Sequence, residues 1–305
     1  MLRRKNAMIK FENVTKKYDD HTALENFELE IPTGCAYGLL GTNGAGKSTL
    51  LRILSGVYRA DTGRVTIDGE EVYDNASVKQ KILLISDETS QFNGMTLLQM
   101  KDFYKMFYAN FSDETFERLN KIVDLPPNKK LGGFSKGMKR QAAVICGISA
   151  KTDYLFLDEA FDGLDPSMRS EIKKMIIDAM CDNDMTVVTS SHNLHEIEEY
   201  CDTVGLLHNG KMIFNKELGD LKGNIHKVQC SFENTPSKED FPELEILLIK
   251  ENNGLTNIIA KGSADDTIQK IQAKAPKFCD LIPLSLEEIF IYEMEALNYD
   301  RTKLM

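Results

Sequence analysis

Apolar and polar residues alternate near the start of the chain and predict a β-hairpin. Ile9 and Phe11 precede a polar turn, Phe27 and Leu29 follow it, and single polar residues separate the members of each pair. A period of two is typical of strands with one buried face. We therefore expect two antiparallel strands at the edge of a domain.

A different pattern follows, in which strands and helices alternate. Residues 154–157 form an apolar run without alternation, as expected of a parallel strand covered on both faces. Asp165-Pro166 then starts a helix, because Asp is a good N-cap and Pro suits the first helical position. This order predicts an α/β fold with a parallel core. The other predicted elements are strands at 36–40, 63–68 and 186–190, helices at 47–54, 95–108, 116–123, 135–149 and 193–201, and a hairpin of strands 204–207 and 211–214 around Asn209-Gly210. In the helix at 193–201, Asn193 followed three residues later by Glu196 resembles a capping box.

The texture of the sequence changes after Gly223. Residues 236–242 are polar and rich in turn-forming residues. Strands are predicted at 246–249 and 255–259, and amphipathic helices at 265–273 and 285–296. We therefore predict two domains, residues 1–222 and a small C-terminal α+β domain at residues 223–305.

Composition narrows the classes of function. The 305 residues carry a formal net charge of −10, which disfavours a broad electrostatic grip on nucleic acid. Apolar stretches are strand-sized, far from the roughly 18–20 residues of a membrane-spanning helix, and no signal-peptide core follows the basic start. The six cysteines are scattered without a CxxC pair, so we interpret them as reduced thiols. These features predict a cytoplasmic protein that would reach a membrane only through a partner.

A glycine-rich loop supplies the first candidate chemistry. Residues 41–49 fit the phosphate-loop pattern GxxxxGK[ST] between a predicted strand and a predicted helix. Backbone N–H groups and the helix N-terminus would surround phosphate oxygens, and Lys47 would add a full positive charge. The Ser48 hydroxyl would be a ligand of Mg²⁺. The candidate nucleotide-binding residues are Gly41, Thr42, Asn43, Gly44, Ala45, Gly46, Lys47, Ser48 and Thr49.

Two carboxylates end the apolar strand at 154–157. Asp158 at the tip of a buried parallel strand, beside the phosphate loop, is placed to hold Mg²⁺ through water. Glu159 would orient or deprotonate the attacking water, as a general base does.

The segment Phe134-Ser-Lys-Gly-Met138 precedes a predicted helix and has two interpretations. In the first, Ser135 is an ordinary helix cap. In the second, the Ser135 hydroxyl, the Gly137 backbone and the helix N-terminus bind the γ-phosphate of a nucleotide held by another subunit.

The ordered set of motifs resembles the ABC (ATP-binding cassette) ATPase family over about residues 8–220. The set comprises the phosphate loop, Phe134–Met138, Leu157-Asp-Glu159, Gly163-Leu-Asp165 and Ser191-His192. The resemblance implies a P-loop NTPase core with an antiparallel β subdomain and a helical subdomain at about 88–150. It also implies that Tyr18 stacks on adenine, Asp165 communicates across a dimer and His192 contacts the γ-phosphate.

Asp87 departs from the family pattern. A glutamine usually follows the short strand that residues 82–85 would form, and Asp87 aligns with that place. We expect this carboxylate to approach Mg²⁺ through water. The form Phe134–Met138 also differs from the usual LSGGQ and is similar to bacterial exporters of the ABC-2 type.

The resemblance implies an ATP-hydrolysing subunit of an ABC transporter, with ATP and Mg²⁺ as ligands. Its expected partners are a second nucleotide-binding subunit and an integral membrane permease, with no nucleic acid, at the cytoplasmic face of the membrane. Export is the expected direction. The alternatives are a soluble ABC ATPase that acts on ribosomes or nucleic acid, and an unrelated phosphate-loop kinase. His195 and His208 belong to no motif and are expected at the surface.

Overall fold

The chain divides into two units, Met1–Asn215 and Lys216–Met305. The computed structural model describes residues 8–88, 90–252 and 254–296. The division falls a few residues before the boundary at 222/223, which stays a prediction. The described strands that begin in the first unit are β1 (Met8–Tyr18), β2 (His21–Pro32), β3 (Ala36–Leu40), β4 (Thr62–Ile67), β5 (Glu70–Glu71), β6 (Ile82–Ile85), β7 (Tyr154–Asp158), β8 (Thr186–Ser191), β9 (Thr203–His208) and β10 (Lys211–Glu217). Its described α-helices are α1 (Lys47–Leu54), α2 (Ala76–Lys79), α3 (Leu97–Phe107), α4 (Asp113–Val123), α5 (Lys136–Ser149), α6 (Pro166–Asn183) and α7 (Leu194–Glu198).

The predicted hairpin at the start of the chain is confirmed. Strands β1 and β2 pair antiparallel, with Ile9 opposite Ile31 and Phe11 opposite Leu29. They belong to a four-stranded sheet in the order β2-β1-β4-β5. The alternation therefore directs one face of this sheet into the core.

A second sheet, in the order β10-β9-β3-β8-β7-β6, brings the candidate chemistry to one edge. Strand β8 pairs parallel to both β3 and β7. Leu40 lies opposite Ser191, and Asp158 lies opposite Ser190. Because carboxyl ends of parallel strands meet at the same edge, the loops after β3, β7 and β8 are neighbours.

One apolar core joins both sheets of the first unit to helix α1. Ile9, Phe27, Leu39, Leu50 and Phe156 are each fully or almost fully buried in it. Burying one such side chain contributes roughly 1.5–3 kcal/mol. The phosphate loop and the strand that ends in Asp158 are thus anchored in the same core.

Among the described residues, three α-helices lie between β6 and β7 in sequence, as predicted. A capping box of Thr96 and Gln99 forms the start of helix α3, and Ser112 caps α4. Helix α5 is buried along most of its length from Gly137 to Ser149. Within the described residues, no helix combines the length and apolarity needed to cross a membrane.

The second unit contains helices packed on a four-stranded antiparallel sheet. Its core includes Val228, Cys230, Phe241, Ile258 and Ile271. The sheet order is β12-β13-β11-β14. These strands are β11 (Ile225–Ser231), β12 (Glu245–Asn252), β13 (Leu255–Lys261) and β14 (Phe278–Ile282), and the described helices are α8 (Leu218–Asn224), α9 (Ala264–Gln272) and α10 (Leu286–Ala296).

Candidate functional site

The phosphate loop runs from the end of β3 to the start of α1. Gly46 has a φ of 110°, and a Cβ added there would lie 2.5 Å from the Ala23 carbonyl oxygen. Only glycine therefore fits without a shift of the backbone. The first N–H groups of α1 have no acceptor inside the helix and are free to bind an anion.

A turn that is far from the phosphate loop in sequence is hydrogen-bonded to it. Asn209 and Gly210, both with positive φ, form the two-residue turn between β9 and β10. The Gly210 N–H donates to the Ala45 carbonyl at 3.0 Å, and the Glu25 N–H donates to the Gly210 carbonyl at 3.0 Å. The phosphate loop is thus hydrogen-bonded, through this turn, to strand β2.

Lys47 is a buried cation beside the loop, with 6% of its surface exposed. Its Nζ donates to the Gly41 carbonyl at 2.7 Å and to the Thr42 carbonyl at 3.2 Å. Burial lowers the pKa of Lys47, whereas Glu159 and Asp158 act in the opposite direction. The Glu159 Oε1 lies 3.7 Å from Nζ. The ammonium is therefore held against the phosphate loop by two main-chain carbonyls and faces Glu159.

Asp158 is buried at the tip of β7, where two hydroxyl groups converge on one of its oxygens. Ser48 Oγ donates to Asp158 Oδ1 at 3.1 Å, and Ser190 Oγ donates to the same atom at 2.7 Å. Hydroxyl and carboxylate oxygens are the ligands that Mg²⁺ prefers. Ser48 and Asp158 thus fit a magnesium ion.

Glu159 occupies a left-handed backbone conformation, with φ of 48°. Its N–H donates to Ser190 Oγ at 3.1 Å, and its Oε2 lies 2.9 Å from His192 Nδ1. Ligand atoms of Glu159, Asp162 and His192 lie within 4.8 Å of one another. Backbone strain at a non-glycine residue is typical of functional sites.

Three candidate residues, Ser135, Gly137 and Asp165, lie at the starts of helices α5 and α6. Ser135 caps α5, and its Oγ accepts the Met138 N–H at 3.1 Å. Asp165 caps α6 through Oδ1, which accepts the Met168 N–H at 3.0 Å. A Cβ on Gly137 would lie 2.8 Å from the carbonyl oxygen of Gly163, which precedes Asp165 by two residues. The start of α5 thus touches the loop before α6.

Two further candidate residues, Tyr18 and Asp87, take no part in the contacts described above for Ser48, Asp158 and Glu159. Tyr18 is 38% exposed, and its ring meets the Tyr58 ring edge-on at 6.0 Å. The Asp87 side chain is 54% exposed, and its Oδ1 lies 3.8 Å from Arg52 Nη2. Tyr18 is open to a ligand, and Asp87 faces an arginine.

Comparison with known proteins decides the family. The family model described as ABC transporter matches residues 24–162. The ABC transporter ATP-binding protein YtrB of Bacillus subtilis (strain 168) is 28% identical over 93% of this chain and 97% of its own length. The lantibiotic transport ATP-binding protein SrtF of Streptococcus pyogenes is 32% identical over 69% of this chain and 91% of its own. A solved structure of the ATP-binding subunit of an ABC transporter is 24% identical, with a TM-score of 0.64, over 70% of this chain and 92% of that one. The chain belongs to the ATP-binding subunits of ABC transporters.

As an ABC transporter ATP-binding subunit, the protein is an ATPase, and the predicted P-loop NTPase fold is confirmed. The site contains residues that sequence reasoning missed. Ser190 donates to Asp158 and accepts from the Glu159 N–H. Arg140 is buried in α5 behind this edge of the sheet. Ser190 directly precedes the Ser191-His192 motif, and Arg140 follows the Phe134–Met138 motif by two residues, so closeness to a motif was the signal that could have found them.

Two interpretations of the ABC subunit's histidine-bearing segments were wrong. His208 is buried, with 3% of its surface exposed, because it ends the central strand β9 rather than facing solvent. Asn193 does cap α7, but Glu196 does not complete a capping box. Its carboxylate instead accepts from Ser191 Oγ at 2.8 Å and pairs with Arg169 at 3.0 Å, so tertiary contacts take precedence over the local cap.

Proposed function

We propose that this subunit binds Mg-ATP at the edge formed by Lys47, Ser48, Asp158, Glu159 and His192, and drives export through a separate membrane permease. The observation that supports this most strongly is the convergence of Ser48 on Asp158 beside the Glu159–His192 pair. A phosphate cradle, two magnesium ligands and a candidate base then occupy adjoining positions.

Each group at this edge has a proposed role in ATP hydrolysis. Glu159 accepts a proton from water as the water oxygen attacks the γ-phosphorus, and the bond to the β–γ bridging oxygen breaks to release ADP. Lys47 and the first N–H groups of α1 offset charge on the phosphates. Bound Mg²⁺, held by Ser48 and Asp158, would neutralise further phosphate charge. His192 orients Glu159 and contacts the γ-phosphate, while Tyr18 stacks on adenine.

A second nucleotide-binding subunit completes each site in this proposal. Ser135 and Gly137 at the start of α5 would bind the γ-phosphate held by the other subunit, and Asp165 would lie at the shared surface. The exposed position of Ser135 at a helix N-terminus supports this arrangement. ATP binding closes the pair and hydrolysis opens it.

The surface of α3 is the proposed contact for the permease. A groove of about 310 Å³ lies there, and it is mostly aromatic. Phe103 and Phe107 are 36% and 53% exposed, with ring centroids 4.9 Å apart. Exposed aromatic grooves accept amphipathic helices. The groove is lined by Lys79, Gln80, Leu83, Leu84, Phe92, Phe103, Tyr104, Phe107 and Tyr108.

The proposed cargo is a peptide antibiotic or a similar amphiphilic compound. The lantibiotic transport relative supports this class. The subunit itself would work at the cytoplasmic face of the membrane, held there by the permease.

Substitution of Glu159 by Gln tests the proposal. The variant should bind ATP, lose turnover by a factor on the order of 10² or more, and accumulate as an ATP-bound dimer in size-exclusion chromatography. Asp162→Asn, a neighbouring carboxylate without an assigned role in proton transfer, is the matched control. Full hydrolysis by Glu159→Gln would contradict the assignment. Copurification of ribosomes or nucleic acid, in place of a multispanning membrane protein, would favour the alternative function.

A further inference from the structure

Arg140 is a charged side chain buried inside the first unit. It lies in α5, five positions after Ser135, with 1% of its surface exposed. An isolated charge taken out of water is strongly disfavoured unless other groups compensate for it. The groups around the Arg140 guanidinium must therefore compensate for its buried charge.

The hydrogen bonds of Arg140 reach the segment after β6. Nη1 donates to the Ser86 carbonyl at 2.6 Å. Nε is buried and has no hydrogen-bond partner among the described residues. A guanidinium carries five N–H groups, so one short hydrogen bond leaves most of its donor capacity and its charge to be met otherwise. The contact fixes the residue that immediately precedes Asp87.

Four carboxylates favour the charged form of Arg140. Burial lowers the pKa of Arg140, and Asp87, Asp162, Asp158 and Glu159 act in the opposite direction, in that order of strength. Asp158 ends β7, and Glu159 and Asp162 lie in the loop after it. The fourth, Asp87, directly follows Ser86, the residue whose carbonyl oxygen accepts the hydrogen bond from Arg140. The guanidinium is thus a buried positive charge that acts, together with Lys47, on the carboxylates of this edge.

A second arginine near Asp87 provides a contrast. Arg52 Nη2 lies 3.8 Å from Asp87 Oδ1, and the Arg52 side chain is 34% exposed. Water and salt screen an exposed pair of this kind, whereas a buried cation is screened much less. Of the two arginines, Arg140 is therefore the one whose charge acts on the site.

We propose that Arg140 is a positioning residue for ATP hydrolysis, which holds the Ser86–Asp87 segment beside the magnesium site and offsets the negative charge that Asp87 adds to Asp158 and Glu159. The inference rests on the proposed function of that site. Without this offset, Asp87 would increase repulsion toward the phosphates and the attacking water's incipient hydroxide. The dependence on Asp87 is what separates this role from simple packing.

A double-mutant cycle in the full-length chain tests the proposal, with steady-state Mg-ATP hydrolysis as the readout. Arg140→Gln should lower kcat about 10-fold or more while the KM for ATP changes less than about 3-fold. In the Asp87→Asn background the same change should cost less than about 3-fold, because the charge to be offset is gone. Arg52→Gln is the matched control and should cost less than about 2-fold in either background.

Equal losses of kcat from Arg140→Gln in both backgrounds would overturn the proposal, since a packing role does not depend on Asp87. Arg140→Lys keeps the charge and should retain kcat within about 3-fold. If Arg140→Gln does not fold, the readout is whether the double variant Arg140→Gln, Asp87→Asn regains a thermal unfolding transition. Rescue of folding by Asp87→Asn supports the charge offset, and its absence overturns it. Failure of the Glu159→Gln test would refute the proposed catalytic base and leave the outcome of this cycle unaffected.

Discussion

His192 Nδ1 lies 2.9 Å from Glu159 Oε2, while Glu159 Oε1 lies 3.7 Å from Lys47 Nζ. Both oxygens of this carboxylate thus face a nitrogen, and the contacts restrict its orientation. Strand β8 ends at Ser191 and strand β7 at Asp158, so adjacent parallel strands deliver the two partners. The pair is a product of sheet order, since more than thirty residues separate its members.

His192→Ala should lower kcat for ATP by about 10²-fold, because the proposed base loses the group that orients it. The KM for ATP should change far less. Steady-state hydrolysis measures both constants. His195→Ala is the matched control, since His195 lies in the same segment with a 71% exposed side chain. Comparable losses in the two variants would show that the segment, rather than the His192 ring, matters.

Ser48→Ala should raise the Mg²⁺ concentration for half-maximal hydrolysis about 10-fold or more, because one proposed oxygen ligand is removed. A magnesium titration at saturating ATP measures this midpoint. Ser190→Ala is the control, since Ser190 donates to the same Asp158 oxygen but is not a proposed ligand. It should lower kcat and leave the midpoint within about 2-fold. A shift of the same size in both variants would argue against Ser48 as a ligand.

Phe103→Asp should abolish copurification of the proposed permease, because it places a charge in the aromatic groove. Detergent extraction followed by affinity capture and mass spectrometry measures the association. Ile122→Asp is the matched control, since Ile122 is 46% exposed on α4 and is not among the groove residues. Thermal midpoints check that both variants fold. Retention of the permease by Phe103→Asp would place the contact elsewhere.

Ile258→Ala should destabilise the second unit by about 2–5 kcal/mol, because a fully buried side chain leaves a cavity in its small core. Hydrogen exchange of the β13 amides measures the loss of local stability. Lys250→Ala, at an exposed position of the neighbouring strand β12, should change it by less than about 0.5 kcal/mol. Unchanged exchange in Ile258→Ala would mean that this core contributes little.

Local patterns were sufficient for much of the fold. The phosphate loop lies between β3 and α1 as its glycine pattern predicts, and the apolar run at 154–157 forms a central parallel strand. Asp165-Pro166 starts α6. Each of these features depends on residues close together in sequence, so propensity and periodicity determine them.

Contacts between residues far apart in the sequence could not be predicted from local patterns. Helix α5 is buried on nearly every side, so its hydrophobic period could not reveal that Arg140 is inside. Glu196 matched a capping pattern, yet Ser191 and Arg169 determine its position. Which strand lies beside β3 is set by the assembled sheet, and that order also explains the burial of His208.

The turn at Asn209-Gly210 has a consequence for how the two ends of a nucleotide are held. Its glycine accepts from Glu25 in β2 and donates to Ala45 in the phosphate loop. Strand β2 pairs with β1, which ends at Tyr18. The pairing of β1 with β2 and the two hydrogen bonds of Gly210 therefore connect the surface proposed for the adenine ring to the loop proposed for the phosphates. The same hydrogen-bonded turn and strands would support binding of the base and of the triphosphate. Weakening the turn should therefore weaken both parts of nucleotide binding together.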